Sequence, residues 1–75
     1  MYYRRIKELR EDQDIKQREI SEALSITQKC YANYENGHRG IPTEILCQLA
    51  DYHHTSVDYL LGRTDKKEPY PPAKR

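Results

Sequence analysis

Along residues 2–13, YYRRIKELREDQ, Tyr2, Ile6, Leu9 and Gln13 recur with charged residues between them. That spacing places one stripe of a helix against a core. Glu8 follows Arg4 and Arg5 by about one turn, which adds weak ion-pair support. A short break at Asp14-Ile15 precedes KQREISEAL, where Ile20, Ala23 and Leu24 share a face. Ser25-Ile26-Thr27 interrupts the pattern, and the Thr27 hydroxyl is suited to accept from a free amide and cap the next helix. This third helix runs to about Glu35. Asn36-Gly37 then stops it, because both residues tolerate the left-handed conformation of a helix end. Asn-Gly also begins hairpins, but no alternating strands flank it here. HRGIP reads as a loop, and Pro42 opens a fourth helix with the stripe Ile45, Leu46, Leu49 and Ala50. Thr55 to Asp58 has the spacing of a capping box, with Asp in place of Glu, ahead of Val57, Leu60 and Leu61. Gly62 ends this fifth helix. The pattern predicts an all-α bundle of five short helices over residues 1–62. The remaining residues 63–75, RTDKKEPYPPAKR, form a flexible tail without periodicity. PYPP could serve as a polyproline ligand, but a solvated terminus is the simpler expectation.

Composition narrows the function classes. A chain of 75 residues buries only about 60% of its unfolded surface. Trp and Phe are absent, so aliphatic side chains and seven tyrosines carry the packing. Little room is left for an enzyme's concave pocket, and no nucleophile–base set or Gly-rich phosphate loop stands out, so a non-enzyme without cofactor is expected. Cys47, Asp51 and His54 fall at i, i+4 and i+7, but a structural zinc wants four ligands at fixed spacings, so no metal is expected. Cys47 and Cys30 read as reduced core thiols, and His53 and His54 as residues closing the fourth helix at its negative end. The net charge of +1 says nothing for or against nucleic acid; only the placement of charges can. Met1 runs directly into charged residues, with no apolar stretch for a signal peptide or membrane span, so a cytoplasmic protein is expected.

Residues 17–36 hold what a DNA-binding helix–turn–helix unit needs: a polar start to its first helix, small residues at the crossing, a tight turn, and a second helix polar in front and apolar behind. Gln17 opens the first helix, and Ser21 and Ala23 are small where the helices meet. Leu24, Ile26, Tyr31 and Tyr34 face the core, leaving Gln28, Lys29, Ala32 and Asn33 on the free face. Gln and Asn can pair with adenine edges, and Lys can donate to guanine O6 and N7.

On RIKELRED, QREISEALSIT, YENG and SVDYLLGRTD, the chain resembles the helix–turn–helix family of phage Cro and cI repressors, the XRE family, over residues 4–65. The resemblance implies a lambda-repressor-like five-helix bundle that binds duplex DNA in transcriptional control, as a repressor in the first instance. By resemblance, Gln28, Lys29 and Asn33 read bases, Gln17, Thr27, Asn36 and Arg39 contact phosphates, and Arg10 and Glu35 form a structural ion pair. Because one such helix covers few base pairs, useful affinity suggests a homodimer on a near-palindromic operator. Ser25 stands where the family prefers Gly, Lys16 where it has a Thr or Ser cap, and Tyr31 where it has Ile or Val. The alternative expectation is an antitoxin or adaptor whose main partner, a toxin or effector, is a protein; another is the N-terminal part of a longer repressor.

Overall fold

The computed structural model describes residues 2–71. Among them are five α-helices and no strand: α1 (Arg4–Asp12), α2 (Gln17–Ala23), α3 (Gln28–Glu35), α4 (Thr43–Tyr52) and α5 (Val57–Leu60). Helix α3 packs against α1 and α2, while α5 packs against α1 and α4. The core gathers Ile6 and Leu9 of α1, Ile20 and Leu24 from α2, Tyr31 of α3, Leu49 and Ala50 of α4 and Leu60 of α5. Burying each large member contributes roughly 1.5–3 kcal/mol.

All five helices stop in the same way. The second residue beyond each last helical turn takes a positive φ: Asp14 at 59°, Ser25 at 58°, Gly37 at 78°, His54 at 54° and Gly62 at 79°. Around each, two amides turn back onto the last-turn carbonyls. At α2, for example, Ser25 N–H donates to Glu22 and Ile26 N–H to Ser21; at α3, Gly37 N–H donates to Tyr34 and His38 N–H to Asn33. These paired bonds satisfy carbonyls that a helix end leaves free. Only two of the five stops are glycines, which is why the pattern of Gly and Asn marked two ends clearly and the others only as breaks.

Several expectations need correction. Helix α1 starts at Arg4, with Tyr3 as its N-cap, so Tyr2 lies ahead of the helix and is exposed rather than part of the buried stripe. Gln13, at the other end of that stripe, is exposed too, although its side-chain oxygen reaches His53 Nδ1 at 3.1 Å. Ala23 is exposed while Ile20 and Leu24 are buried, because it closes the last turn of a short helix and no element covers it. Cys47 is exposed and Cys30 half-buried, both as free thiols. Ser56 rather than Thr55 caps α5, accepting from Tyr59 N–H at 3.0 Å. The Thr55 hydroxyl instead donates to Lys67 O at 2.6 Å. His53 is a buried residue, and burial, aided by Lys67, pushes its pKa below 6.5. It therefore closes α4 as a neutral ring, not as a cation on the helix dipole.

Residues 63–71 form no regular element and return across α5. Arg5, whose guanidinium lies 4.2 Å from the Tyr59 ring centroid, donates to Tyr59 O at 2.9 Å, to Thr64 O and to Asp65 Oδ1. Tyr70 donates to Asp58 Oδ2 at 2.8 Å. Pro72, the last residue of PYPP, and residues 73–75 lie outside the described residues, as does Met1.

Candidate nucleic-acid interface

Helix α3 is short, and its two faces differ sharply. Tyr31, Tyr34 and Glu35 are buried, Ala32 and Asn33 are half-exposed, and Gln28 and Lys29 are exposed. The helix begins on Thr27, whose hydroxyl accepts from Cys30 N–H at 3.1 Å. That bond fixes the entry of the chain and leaves Gln28 and Lys29 in the first turn, facing outward. At its other end the Asn33 carbonyl accepts from both His38 and Arg39 N–H, at 2.9 and 3.2 Å. The loop carrying Asn36, His38 and Arg39 is thereby folded back onto α3, and all three side chains are exposed.

Helix α2 packs against α3, and Ser21 of α2 is buried and donates to Arg18 O at 2.9 Å. The turn between the helices holds Ser25 in the left-handed region, the position where glycine would be unstrained. At the start of α2, Lys16 supplies no side-chain cap. Its own N–H donates weakly to Glu19 Oε1 at 3.5 Å. Asp14, the other candidate cap, lies in the left-handed turn that ends α1.

Beneath this surface lies a buried charge pair. Arg10 Nε donates to Glu35 Oε2 at 2.7 Å and Arg10 Nη2 to Oε1 at 3.0 Å, a two-point fork. Arg10 Nη1 also donates to Ile15 O at 2.9 Å in the α1–α2 turn. Gln17 Nε2 reaches the same carboxylate, donating to Oε1 at 3.2 Å. Glu35 is 1% exposed. Burial opposes its charge, but the hydrogen bonds from Arg10 and Gln17 outweigh that and hold the carboxyl below its usual range. The Tyr31 hydroxyl is buried without a partner of normal hydrogen-bond geometry. Burial first, then the neighbouring carboxylate, raises its pKa far above 10, so it remains a neutral phenol.

The sequence placed Arg10 and Glu35 together only through resemblance. The link from Gln17 to Glu35 was not foreseen, since an 18-residue separation carries no local periodicity. The charge layout is legible in the sequence itself: between Ala23 and Thr43 the only acidic residue is Glu35, and it is buried and paired. The exposed part of this stretch thus carries Lys29 and Arg39 without a compensating carboxylate of its own. A nearly neutral chain can in this way present a locally basic face to a polyanion. Among the described residues no group of three or more His, Cys, Asp or Glu side chains could hold a metal ion, and no helix is long and apolar enough to cross a membrane.

A helix-turn-helix family model matches residues 6–60. The chain is 33% identical over 69 residues to a protein named "Uncharacterized HTH-type transcriptional regulator YobD" of Bacillus subtilis (strain 168), covering 92% of this chain and 62% of that one. It is 38% identical over 69 residues to the HTH-type transcriptional regulator AnsR of the same organism, covering 92% and 60%. With the HTH-type transcriptional regulator ImmR, also from Bacillus subtilis, it shares 36% identity over 62 residues, covering 83% and 49%. The chain therefore spans only about half to three-fifths of the length of these relatives. No solved structure matches it significantly.

Proposed function

The chain belongs to the XRE-type helix-turn-helix family of DNA-binding transcriptional regulators, and from that we propose that it represses transcription by laying α3 in the major groove of a specific operator. In this reading Gln28, Lys29 and Asn33 face base edges, while Gln17, Thr27, Asn36 and Arg39 set the register on phosphates. The observation that carries it is the split of α3 into an anchored face, Tyr31, Tyr34 and Glu35, and a front turn of exposed amide and cation. The absence of any exposed acid between Ala23 and Thr43 supports the same orientation.

One short helix reads few base pairs. Useful affinity then calls for two copies on a near-palindrome, with half-sites roughly 34 Å apart. The reading places the protein in the cytoplasm, where its target is. The test is a selection from random duplex DNA with purified protein at near-physiological salt. Enrichment of a near-palindrome supports both sequence reading and the homodimer. A folded, helical protein that enriches nothing overturns the reading in favour of a protein-binding role, such as an antitoxin's.

A further inference from the structure

We propose that Tyr2 is a further DNA contact of this protein, its hydroxyl donating to a backbone phosphate next to the one held by Arg39. The inference rests on the DNA-binding reading and adds to it a residue ahead of α1, outside the helix–turn–helix unit.

The argument begins with a tyrosine in an unexpected place. Tyr2 falls on the same helical stripe as Ile6 and Leu9, yet the helix starts two residues later. Tyr3 is the N-cap of α1 and is the one that packs half-buried against the core. Tyr2 is left 55% exposed. Only Tyr70 is a comparably exposed large hydrophobic residue among the described ones, and its hydroxyl is taken up by Asp58. The hollow that it lines with Leu60 and Leu61 leaves over half of its surface in water, so burial alone does not account for an aromatic side chain at position 2.

Its neighbour does. A Cβ placed on Gly37 would stand 3.0 Å from Tyr2 Cβ, 3.1 Å from its Cα and 3.2 Å from its N. Tyr2 thus leans against the left-handed turn that ends α3, with essentially no gap between the two backbones. That turn is flanked by Asn36 on one side and by His38 and Arg39 on the other, all exposed. Contact with Gly37 makes the N-terminal segment an extension of this polar surface, although the two are 35 positions apart in sequence.

Charge favours a polyanion as the occupant. The nearby stretch has no exposed acid of its own, as noted above, and Arg39 and Arg4 are exposed cations in the segments that meet here. Arg4's contact with Glu8, at 3.9 Å between two exposed side chains, is too weak to hold it. Tyrosine hydroxyls are regular donors to DNA phosphates, which position a protein without reading sequence.

The experiment compares wild type, Tyr2→Phe and Tyr2→Ala by titrating each onto a pool of random-sequence duplexes, over a series of salt concentrations, with helicity and Tm measured alongside. Tyr70→Phe, which removes a hydroxyl taken up by Asp58, serves as a control. Tyr2→Phe keeps the ring and the contact with Gly37 and removes only the donor. It should bind every duplex roughly 2- to 10-fold more weakly, with unchanged Tm and an unchanged salt slope, because a neutral donor displaces no counterion. Tyr2→Ala should be at least as weak, and Tyr70→Phe should match wild type. Wild-type binding with Tyr2→Phe equal to it overturns this inference alone. A folded wild type that binds no duplex overturns the DNA-binding reading and this inference with it.

Discussion

The Gln17 amide donates to the Glu35 carboxylate across 3.2 Å, tying the first residue of α2 to the last residue of α3. The same carboxylate holds Arg10 from α1, and Arg10 in turn holds the carbonyl of Ile15. One buried charge therefore fixes the relative placement of α1, the α1–α2 turn, α2 and α3. Gln17 uses one amide hydrogen on Glu35, and in the function proposed above the other is its donor to phosphate.

Removing Arg10 tests how much rests on this charge. Arg10→Ala strands a buried carboxylate and should destabilise by about 3 kcal/mol or more, measured by urea unfolding at pH 7. The pH dependence has a definite sign. In wild type the Glu35 carboxyl lies below its ordinary 4.5, so its stabilisation is complete above that value and fades as pH falls through the folded one. Without Arg10, burial dominates and pushes Glu35 upward, so the deficit against wild type should narrow as pH falls toward about 4. A deficit that widens on acidification would contradict this account.

His53 predicts a second, separate window. Its folded pKa is lowered from 6.5, first by burial and then by Lys67, so the unfolded chain takes up the proton first. Stability is full above pH 6.5 and declines as pH falls from there toward the folded value. In unfolding curves between pH 7 and about 5, His53→Gln should abolish that decline. An identical slope in the variant rules His53 out as its source.

Ser25 in the α2–α3 turn, at φ 58° and exposed, is a position where the chain can be improved. Ser25→Gly removes the steric penalty of a left-handed L-residue, at some loss of unfolded-state restriction. The net expectation is a gain of about 0.5–1 kcal/mol. Tm should rise by a few degrees with DNA affinity unchanged, and a fall in Tm would show that the turn uses the serine side chain.

At Gly37 the same logic runs the other way. Alanine there meets both a φ of 78° and the Tyr2 backbone at 3.1–3.2 Å. Gly37→Ala should destabilise by about 2 kcal/mol. Calorimetry would show the loss, and a tolerated alanine would mean that the Tyr2 segment moves aside freely.

Two substitutions in the proposed interface should separate base reading from phosphate contact. Gln28→Ala should relax preference at one base position by about 1–3 kcal/mol, read as the change in enriched sequences. Arg39→Ala should weaken all duplexes alike and lower the salt slope by about 1 per contacted site. If Gln28→Ala leaves the enriched sequence unaltered, the orientation of α3 on DNA proposed above is wrong.

Much of this molecule was present in local sequence. Apolar spacing determined that there are five helices, Thr27 that α3 is capped, and Gly37 and Gly62 where two helices stop. Each of these depends on residues within one or two turns, and hydrogen bonding at a helix end has the same range. Tertiary structure decided what local spacing leaves open. It exposed Cys47, Ala23 and Tyr2, buried His53, chose Ser56 over Thr55 as a cap, and pressed Tyr2 onto Gly37. It also brought Gln17 to the Glu35 carboxylate. These outcomes depend on which helix face meets which neighbour, and in so small a bundle a single crossing angle settles whether a side chain is covered or left in water.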